Sequence, residues 1–128
     1  LEKAQPKANA GLGQRILDAG GVWVSEHGHG VPASPDHFPL RNRIQVGLSV
    51  GSIVVEGAIN SGTSVHAAYC LREKRVLFAV LPDGVSTHHD LPRSLILRGA
   101  QPIRSREDYP GMLSRLEAAL PTPHVDRP

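Results

Sequence analysis

Residues 51–80 read GSIVVEGAINSGTSVHAAYCLREKRVLFAV, and this stretch decides the fold. Its two ends, at 52–56 and 76–80, are short runs rich in Val, Ile and Phe that are typical of buried strands. Between them, residues 63–74 carry small and apolar side chains after a Ser-Gly-Thr-Ser start, which predicts a helix. A strand, a helix and a second strand at this interval indicate two parallel strands joined by a crossover helix.

The flanking segments extend the same alternation. The predicted elements outside the central unit are helices after Asn9, from Pro39 to about Ser49 and after Asp108, a buried strand at 22–24, and a marginal edge strand at 101–104. Strands that alternate with helices predict an α/β fold with a parallel sheet between helical layers. We expect one domain over residues 1–120 and a disordered tail over 121–128.

The composition limits the class of protein. Of the 128 residues 40% are hydrophobic but only 4% are aromatic, so Val, Ile, Leu and Ala must form the core. A net charge of +2 with seven His permits an anionic partner without requiring one. A single cysteine suits a reducing compartment, and no apolar run approaches the roughly 18 residues of a membrane span. We therefore expect a cytoplasmic protein with no membrane partner; the start at Leu1 rather than Met indicates a processed or excerpted chain.

The stretch HFPLRNRI at 37–44 is the clearest candidate binding site. If the helix begins at Pro39, residues Arg41, Asn42 and Arg43 lie in its first turn, beside unpaired backbone N–H groups that favour an anion. Guanidinium groups match phosphate geometry, and the ring of Phe38 can stack on a base. The alternative is that Phe38 belongs to the core and the arginines are a solvated helix start.

Polar residues also follow the predicted strands. Ser25-Glu26, Glu56 and the Ser61-Gly62-Thr63 segment each come after a buried run, and parallel α/β sheets bind ligands beyond the carboxyl ends of their strands. We expect these segments and the 37–44 stretch to line one groove. Hydroxyls and a glycine at a helix start suit phosphate, so Ser61, Gly62 and Thr63 join the predicted site.

No catalytic residue, metal or cofactor is assigned, and we expect a protein that is not an enzyme. Ser61 lies in no Gly-x-Ser-x-Gly motif, and Cys70 has the position of a buried thiol within a helix. Glu26 and Glu56 suit hydrogen bonding at strand ends as well as acid–base chemistry. His66 suits a surface role, and two further histidine clusters match no metal-ligand spacing: His27, His29 and His37, and His88-His89-Asp90.

From Lys3 to about Arg106, the chain resembles the later part of the Rossmann-like domain of the DprA family of bacterial DNA-processing proteins, also called Smf. The residues that carry the resemblance are Pro6-Lys7-Ala8-Asn9, Val24-Ser25-Glu26, Phe38 to Ile44, Gly47-Leu48-Ser49, Val54-Val55-Glu56, Ser61-Gly62-Thr63, Phe78-Ala79-Val80, and Leu95-Ile96 with Gly99-Ala100. The resemblance implies a Rossmann-like three-layer domain with a mostly parallel sheet.

The resemblance also implies a function without catalysis. Members of the DprA family bind single-stranded DNA, dimerise and load the RecA recombinase in natural transformation. By the same resemblance Lys7 contacts a DNA phosphate, and Phe38, Arg41 and Asn42 line the binding pocket. The N-terminal Gly-Ser-Arg phosphate loop of the family is absent from this chain, so we expect a domain truncated in its N-terminal half. Such a sheet is completed by a homo-oligomer or by another chain.

Two other functions stay open. A sensor or hydrolase of the same wider superfamily would bind a nucleotide derivative, with Ser61-Gly62-Thr63 as its phosphate cradle. Alternatively, the chain is a structural remnant that pairs with another chain.

Overall fold

The structure, a computed structural model, describes residues 7–28, 30–32, 34–81 and 90–121. The chain divides into one unit of residues 1–34 and a second of residues 35–128. In chain order the helices are α1 (Ala10–Asp18), α2 (His37–Gly47), α3 (Gly62–Arg72), α4 (Asp90–Leu97) and α5 (Tyr109–Ala118), and the strands are β1 (Gly51–Val54), β2 (Val76–Val80) and β3 (Gln101–Ile103). Beyond residue 121, the predicted disordered tail lies outside the described residues.

In the first unit, a short 3-10 turn at Lys7–Asn9 leads into α1, close to the predicted start. Helix α1 is closed by a glycine pair: the Gly20 N–H donates to Leu17 C=O at 2.9 Å and the Gly21 N–H to Ile16 C=O at 2.8 Å. This is a Schellman motif, which needs a left-handed residue just after the helix, and Gly20 has φ +79°. A Cβ at residue 21 would lie 2.6 Å from the Ile16 side chain, so glycine is required there as well.

The predicted strand at 22–24 is wrong. Residues 21–25 have no regular secondary structure, and Val22 and Val24 are 75% and 63% exposed. A run of three residues forms a strand only if a neighbouring strand takes up its backbone hydrogen bonds, and apolar composition does not supply that neighbour. In the described part of the chain, the sheet is therefore built by the second unit alone.

The second unit contains a three-stranded parallel sheet in the order β1-β2-β3. Strand β1 pairs with β2 from Gly51 opposite Val76 to Val54 opposite Ala79, with α3 as the connection, which confirms the predicted strand–helix–strand unit. The marginal strand predicted at 101–104 is confirmed as β3, which pairs with the other side of β2. The predicted α/β fold class is thus correct.

The sheet lies between two helical layers. On one face Val54, Leu77 and Ala79 join a buried cluster that also contains residues of the helices: Val46 of α2, Ala67 and Cys70 of α3, and Leu91 and Leu95 of α4. On the other face α5 packs on β2, and a Cβ at Gly51 would lie 2.8 Å from the Leu116 side chain of α5. Burial on both faces explains why Leu77, Phe78 and Ala79 are all less than 6% exposed.

The two edges of the sheet differ. Ile103 C=O accepts a hydrogen bond from the Leu81 N–H at 2.8 Å, so the neighbouring residue of β3, Pro102, directs its backbone away from β2. Proline has no N–H, and an edge strand that carries one is a poor template for a further strand. Strand β1 has no proline, and its Ile53 is 46% exposed. A further strand would therefore add more readily beside β1.

Two helices of the second unit also end in Schellman motifs, and in one of them a lysine takes the place usually held by glycine. After α4, Gly99 occupies the left-handed position with φ +101°, as Gly20 does after α1. After α3 the same position is held by Lys74, with φ +54°, and the Arg75 N–H donates to Cys70 C=O at 2.9 Å. A side chain in this conformation costs roughly 1 kcal/mol relative to glycine, so the tertiary structure holds this turn in place.

Within the described residues, no helix has the length and apolar character needed to cross a membrane. The core also accounts for two residues that were considered as catalytic candidates. The Cys70 thiol is fully buried and donates to Ser52 Oγ at 3.3 Å, and the half-buried His66 is hydrogen-bonded to the same oxygen through Nε2 at 2.9 Å. These contacts join α3 to β1. Cys70 is thus the buried thiol that the sequence predicts, and His66 is packed against the same hydroxyl.

Candidate functional site

Helix α2 begins earlier than predicted. It starts at His37 rather than at Pro39, and the Phe38 N–H donates to Pro35 C=O at 3.1 Å. Proline fits as the third residue because the first N–H groups of a helix have no partner within it. Arg41 is consequently the fifth residue of α2, so Arg41 and Arg43 do not lie in the first turn, and the expectation that they flank its unpaired N–H groups is wrong.

Phe38 and Arg41 form a stacked pair on the surface of α2. They are three residues apart, on one side of the helix, and the guanidinium carbon lies 4.4 Å from the centre of the phenyl ring. Phe38 is 56% exposed, so the alternative that it belongs to the core is wrong. The stack holds a planar cation in a defined orientation, while both groups remain accessible to a ligand.

Asn42 joins α2 to the start of α3. Its side chain is half-buried, and Nδ2 donates to Gly62 C=O at 3.4 Å. Gly62 is the first residue of α3, so this contact places the middle of α2 beside the positive end of a second helix. Arg43 is exposed on α2, about 200° around the helix from Arg41.

The Ser61-Gly62-Thr63 segment forms a complete N-cap. Ser61 Oγ accepts from the Ser64 N–H at 3.4 Å and donates to Ala58 C=O at 2.7 Å, while Ser64 Oγ accepts from the Ser61 N–H at 3.3 Å. This is a capping box, so both hydroxyls serve the fold. The groups that α3 leaves available to an anion are the N–H groups of Gly62 and Thr63, which have no partner within the helix.

Gly57 sets the path of the loop that presents this helix start. A Cβ at this position would lie 3.1 Å from Leu91 Cδ2 and 3.3 Å from Thr63 Cβ. Gly57 C=O also accepts from the Leu91 N–H at 3.1 Å, which ties the loop to the first turn of α4. The sequence places a glycine in the loop but gives no signal that two helix starts close around it.

The structure brings together part of the predicted groove. Asn42 on α2 contacts Gly62 at the start of α3, and Phe38 and Arg41 stack on the same helix; we call Phe38, Arg41, Asn42, Gly62 and Thr63 the α2 surface. Glu56 is exposed in the loop after β1. Of the remaining candidates, Lys7 is exposed in the 3-10 turn of the first unit, and Ser25 Oγ there accepts from the His27 N–H at 3.1 Å.

Sequence reasoning missed Arg75. Its Nη2 donates to Gly47 C=O, the last residue of α2, at 3.1 Å. An arginine between a helix and a strand has no periodic or motif signal, and the contact joins residues that are 28 positions apart. Only the folded structure shows that Arg75 belongs to the support of α2.

Comparison with protein families gives a match over most of the chain. The family described as DNA recombination-mediator protein A matches residues 1–114. The chain is 39% identical over 100 residues to Protein Smf of Escherichia coli (strain K12), covering 78% of this chain and 27% of that protein. It is 36% identical over 113 residues to the DNA processing protein DprA of Streptococcus pneumoniae, covering 84% of this chain and 38% of that protein.

A solved structure gives the same result. The X-ray structure of DNA processing protein A (DprA) from Streptococcus pneumoniae matches with a TM-score of 0.72 at 34% identity, covering 84% of this chain and 38% of that chain. The chain thus spans between 27% and 38% of the length of these relatives.

Replacement of Gly57 by alanine tests the packing behind the α2 surface. Because the added Cβ meets Leu91 and Thr63 at 3.1 and 3.3 Å, we expect Gly57→Ala to lower the free energy of unfolding by roughly 1–3 kcal/mol, measured by urea denaturation. Gly62→Ala is the matched control, since a Cβ there has no atom within 4 Å. Equal losses in the two variants would contradict the role of Gly57.

Proposed function

This chain belongs to the DNA recombination-mediator protein A family, as its resemblance to DprA and Smf predicted, and we propose that it binds single-stranded DNA through the α2 surface. The observation that carries the proposal is the exposed stack of Arg41 on Phe38, at 4.4 Å, on the helix that Asn42 ties to the start of α3. A guanidinium group binds phosphate oxygens, and an aromatic ring stacks on an unpaired base.

The geometry favours a single strand over a duplex. Phe38 projects from a helix that is otherwise tied to the protein, and a ring in this position can reach the face of a base only if that base is unstacked from a partner strand. The N–H groups of Gly62 and Thr63, at the positive end of α3, supply a second place for phosphate. A bound strand would therefore place a base on Phe38 and phosphates beside Arg41 and the N–H groups of Gly62 and Thr63.

Lys7 enters the proposal through the family resemblance. It is exposed in the first unit, and a lysine at that point of the family pattern contacts phosphate. Arg43 is the other exposed cation of the predicted site, on a different side of α2 from Arg41. We propose that Arg43 contacts a phosphate of the bound DNA strand at a position beyond the Phe38–Arg41 stack.

The competing function is recognition of a free nucleotide derivative at the start of α3. A thermal-shift comparison of mononucleotides with a short oligonucleotide separates the two functions, because only a ligand that binds the folded chain raises its melting temperature. Stabilisation by the mononucleotide alone would favour the alternative.

The salt dependence of binding tests the phosphate contacts. We expect the affinity for a fluorescent oligonucleotide to fall with rising salt, with a slope of about 0.7 for each phosphate contact. Arg41→Ala and Lys7→Ala should each lower both the affinity and this slope, the slope by about 0.7. Arg98→Ala, an exposed arginine just after α4, serves as the control. No binding at low salt by the unmodified chain would refute the proposal.

Substitution of Phe38 tests the stacking contact separately. We expect Phe38→Leu to weaken binding of an oligonucleotide by about 1–3 kcal/mol for the lost stack, while Phe38→Tyr keeps most of the affinity. The salt slope should stay unchanged, because no phosphate contact is removed. The same pair of variants should bind an oligonucleotide of abasic sugars equally well. A difference between them on the abasic strand would show that Phe38 acts in another way.

The proposal extends to the partners that the resemblance to the DprA family implies. We propose that the chain self-associates or pairs with a further chain along β1, the edge without a proline, and that it promotes RecA loading on single-stranded DNA. Light scattering gives the mass in solution, and the rate of RecA filament assembly on DNA coated with single-strand binding protein gives the loading. A monomeric mass at all concentrations would refute self-association, and no change in that rate would refute RecA loading.

A further inference from the structure

We infer that Arg75 is a positioning residue for DNA binding: it holds the C-terminal end of α2 and thereby sets the orientation in which α2 presents Phe38 and Arg41. The inference rests on the proposed function, since it concerns the support of the same surface. It is carried by one hydrogen bond, from Arg75 Nη2 to Gly47 C=O at 3.1 Å, and by the way each end of that bond is held.

The Arg75 backbone is fixed on both sides. Its N–H donates to Cys70 C=O at 2.9 Å, which closes the Schellman motif after α3. That motif is maintained even though Lys74 must adopt φ +54°, where glycine would be the unstrained residue. The next residue, Val76, begins β2, and its N–H donates to Val50 C=O at 3.4 Å. The side chain of Arg75 therefore starts from a defined point between α3 and the sheet.

The other end of the hydrogen bond is the exposed end of a helix. Gly47 is the last residue of α2, and the last carbonyls of a helix have no partner within it and carry its negative partial charge. A guanidinium donor satisfies one of them and is favoured by that charge. Among the described residues, Arg75 Nε is buried and has no hydrogen-bond partner. The side chain is thus held in this position despite a desolvation cost.

Helix α2 needs such support because few of its side chains anchor it. In the eleven residues of α2, only Val46 is fully buried, while Phe38 and Leu40 are 56% and 47% exposed. Helix α2 also packs along α3, and two side-chain hydrogen bonds add to this packing: Asn42 to Gly62 at 3.4 Å near the middle, and Arg75 to Gly47 at the end.

Arg75 acts on the binding surface from a distance. Gly47 is nine residues beyond Phe38, and a rise of 1.5 Å per residue places these two residues about 14 Å apart along the axis of α2. A guanidinium bound at Gly47 is therefore remote from the Phe38–Arg41 stack. Its loss should change how well α2 is oriented, not the number of phosphates that the protein contacts.

The test compares Arg75→Met, Arg75→Gln and Arg75→Lys with Arg72→Met in the whole chain. Arg72 is the matched control, because it is an exposed arginine at the same end of α3 that stacks on Tyr69 and pairs with Glu73. The probe is a fluorescent oligothymidylate, with affinity measured over a range of salt concentrations. Hydrogen exchange of the α2 amides is measured in the same proteins without DNA.

We expect Arg75→Met to weaken oligonucleotide binding about fivefold with an unchanged salt slope, and to speed exchange of the α2 amides. Arg75→Lys and Arg75→Gln, which keep a donor, should recover part of both effects, and Arg72→Met should change affinity less than twofold. If Arg75→Met unfolds the chain, the Lys and Gln variants carry the same comparison.

Three results would overturn the inference. A salt slope lowered by about 0.7 in Arg75→Met would make Arg75 a direct phosphate contact, and unchanged affinity with unchanged exchange would leave it without a role. If the unmodified chain binds no oligonucleotide, the proposed function fails, and the positioning role in DNA binding is overturned with it. In that case unchanged exchange would also refute the support of α2, whereas faster exchange would retain that support as a purely structural contact.

Discussion

The pairing of β2 with a parallel strand on each side is the constraint on which the second unit depends. Parallel neighbours require crossover connections, and here α3 and α4 provide them on one face of the sheet. Their apolar sides enclose Leu77 and Ala79, while α5 packs on the opposite face. Because each crossover helix begins beyond the carboxyl end of a strand, the starts of α3 and α4 meet at the loop that contains Gly57. The candidate site is therefore a consequence of parallel pairing.

Helix α2 is attached to this framework in a different way. It is not a crossover, and its single fully buried residue, Val46, contributes to the core close to its C-terminal end. The N-terminal half is left with an exposed aromatic ring and an exposed guanidinium, and neither group contributes to the buried core. Polar contacts at Asn42 and Arg75 hold the helix in place while these two groups remain available. The division between a buried end and an exposed end is the structural basis of the binding role proposed for α2.

The sequence correctly predicts those helices and strands that form because of their own residues rather than because of contacts with distant ones. Strand β2 matches its predicted bounds because it is buried on both faces, and α3 begins at a cap that the Ser61 and Ser64 pattern indicates. The strand at 22–24 was predicted from composition alone, which cannot supply a pairing partner. Helices α2 and α4 both begin two residues before a proline, Pro39 and Pro92, so proline marks the first turn rather than the first residue.

The residues of the candidate site likewise form two groups: those that the sequence reveals and those that only the folded structure reveals. Phe38, Arg41 and Asn42 are visible in the sequence as a cluster of side chains with suitable chemistry. Gly57 and Arg75 are not, because their roles depend on distances to residues far along the chain: Leu91 at 3.1 Å from a Cβ at residue 57, and Gly47 at 3.1 Å from the Arg75 guanidinium. Neither a spacing nor a residue type encodes such a distance.

The chemistry of the α2 surface also bears on selectivity. An aromatic ring stacks on the face that every base has, and guanidinium and backbone N–H groups contact phosphates, which are the same at every position. Sequence is read by donors and acceptors directed at base edges, and in the α2 surface the Asn42 Nδ2 group is held against Gly62 C=O by a hydrogen bond. The proposed binding of a single strand by such a surface would show little preference for the sequence of that strand. Broad acceptance of sequence is what a protein that acts on any stretch of single-stranded DNA requires, so the contacts that hold α2 in place also favour the proposed function.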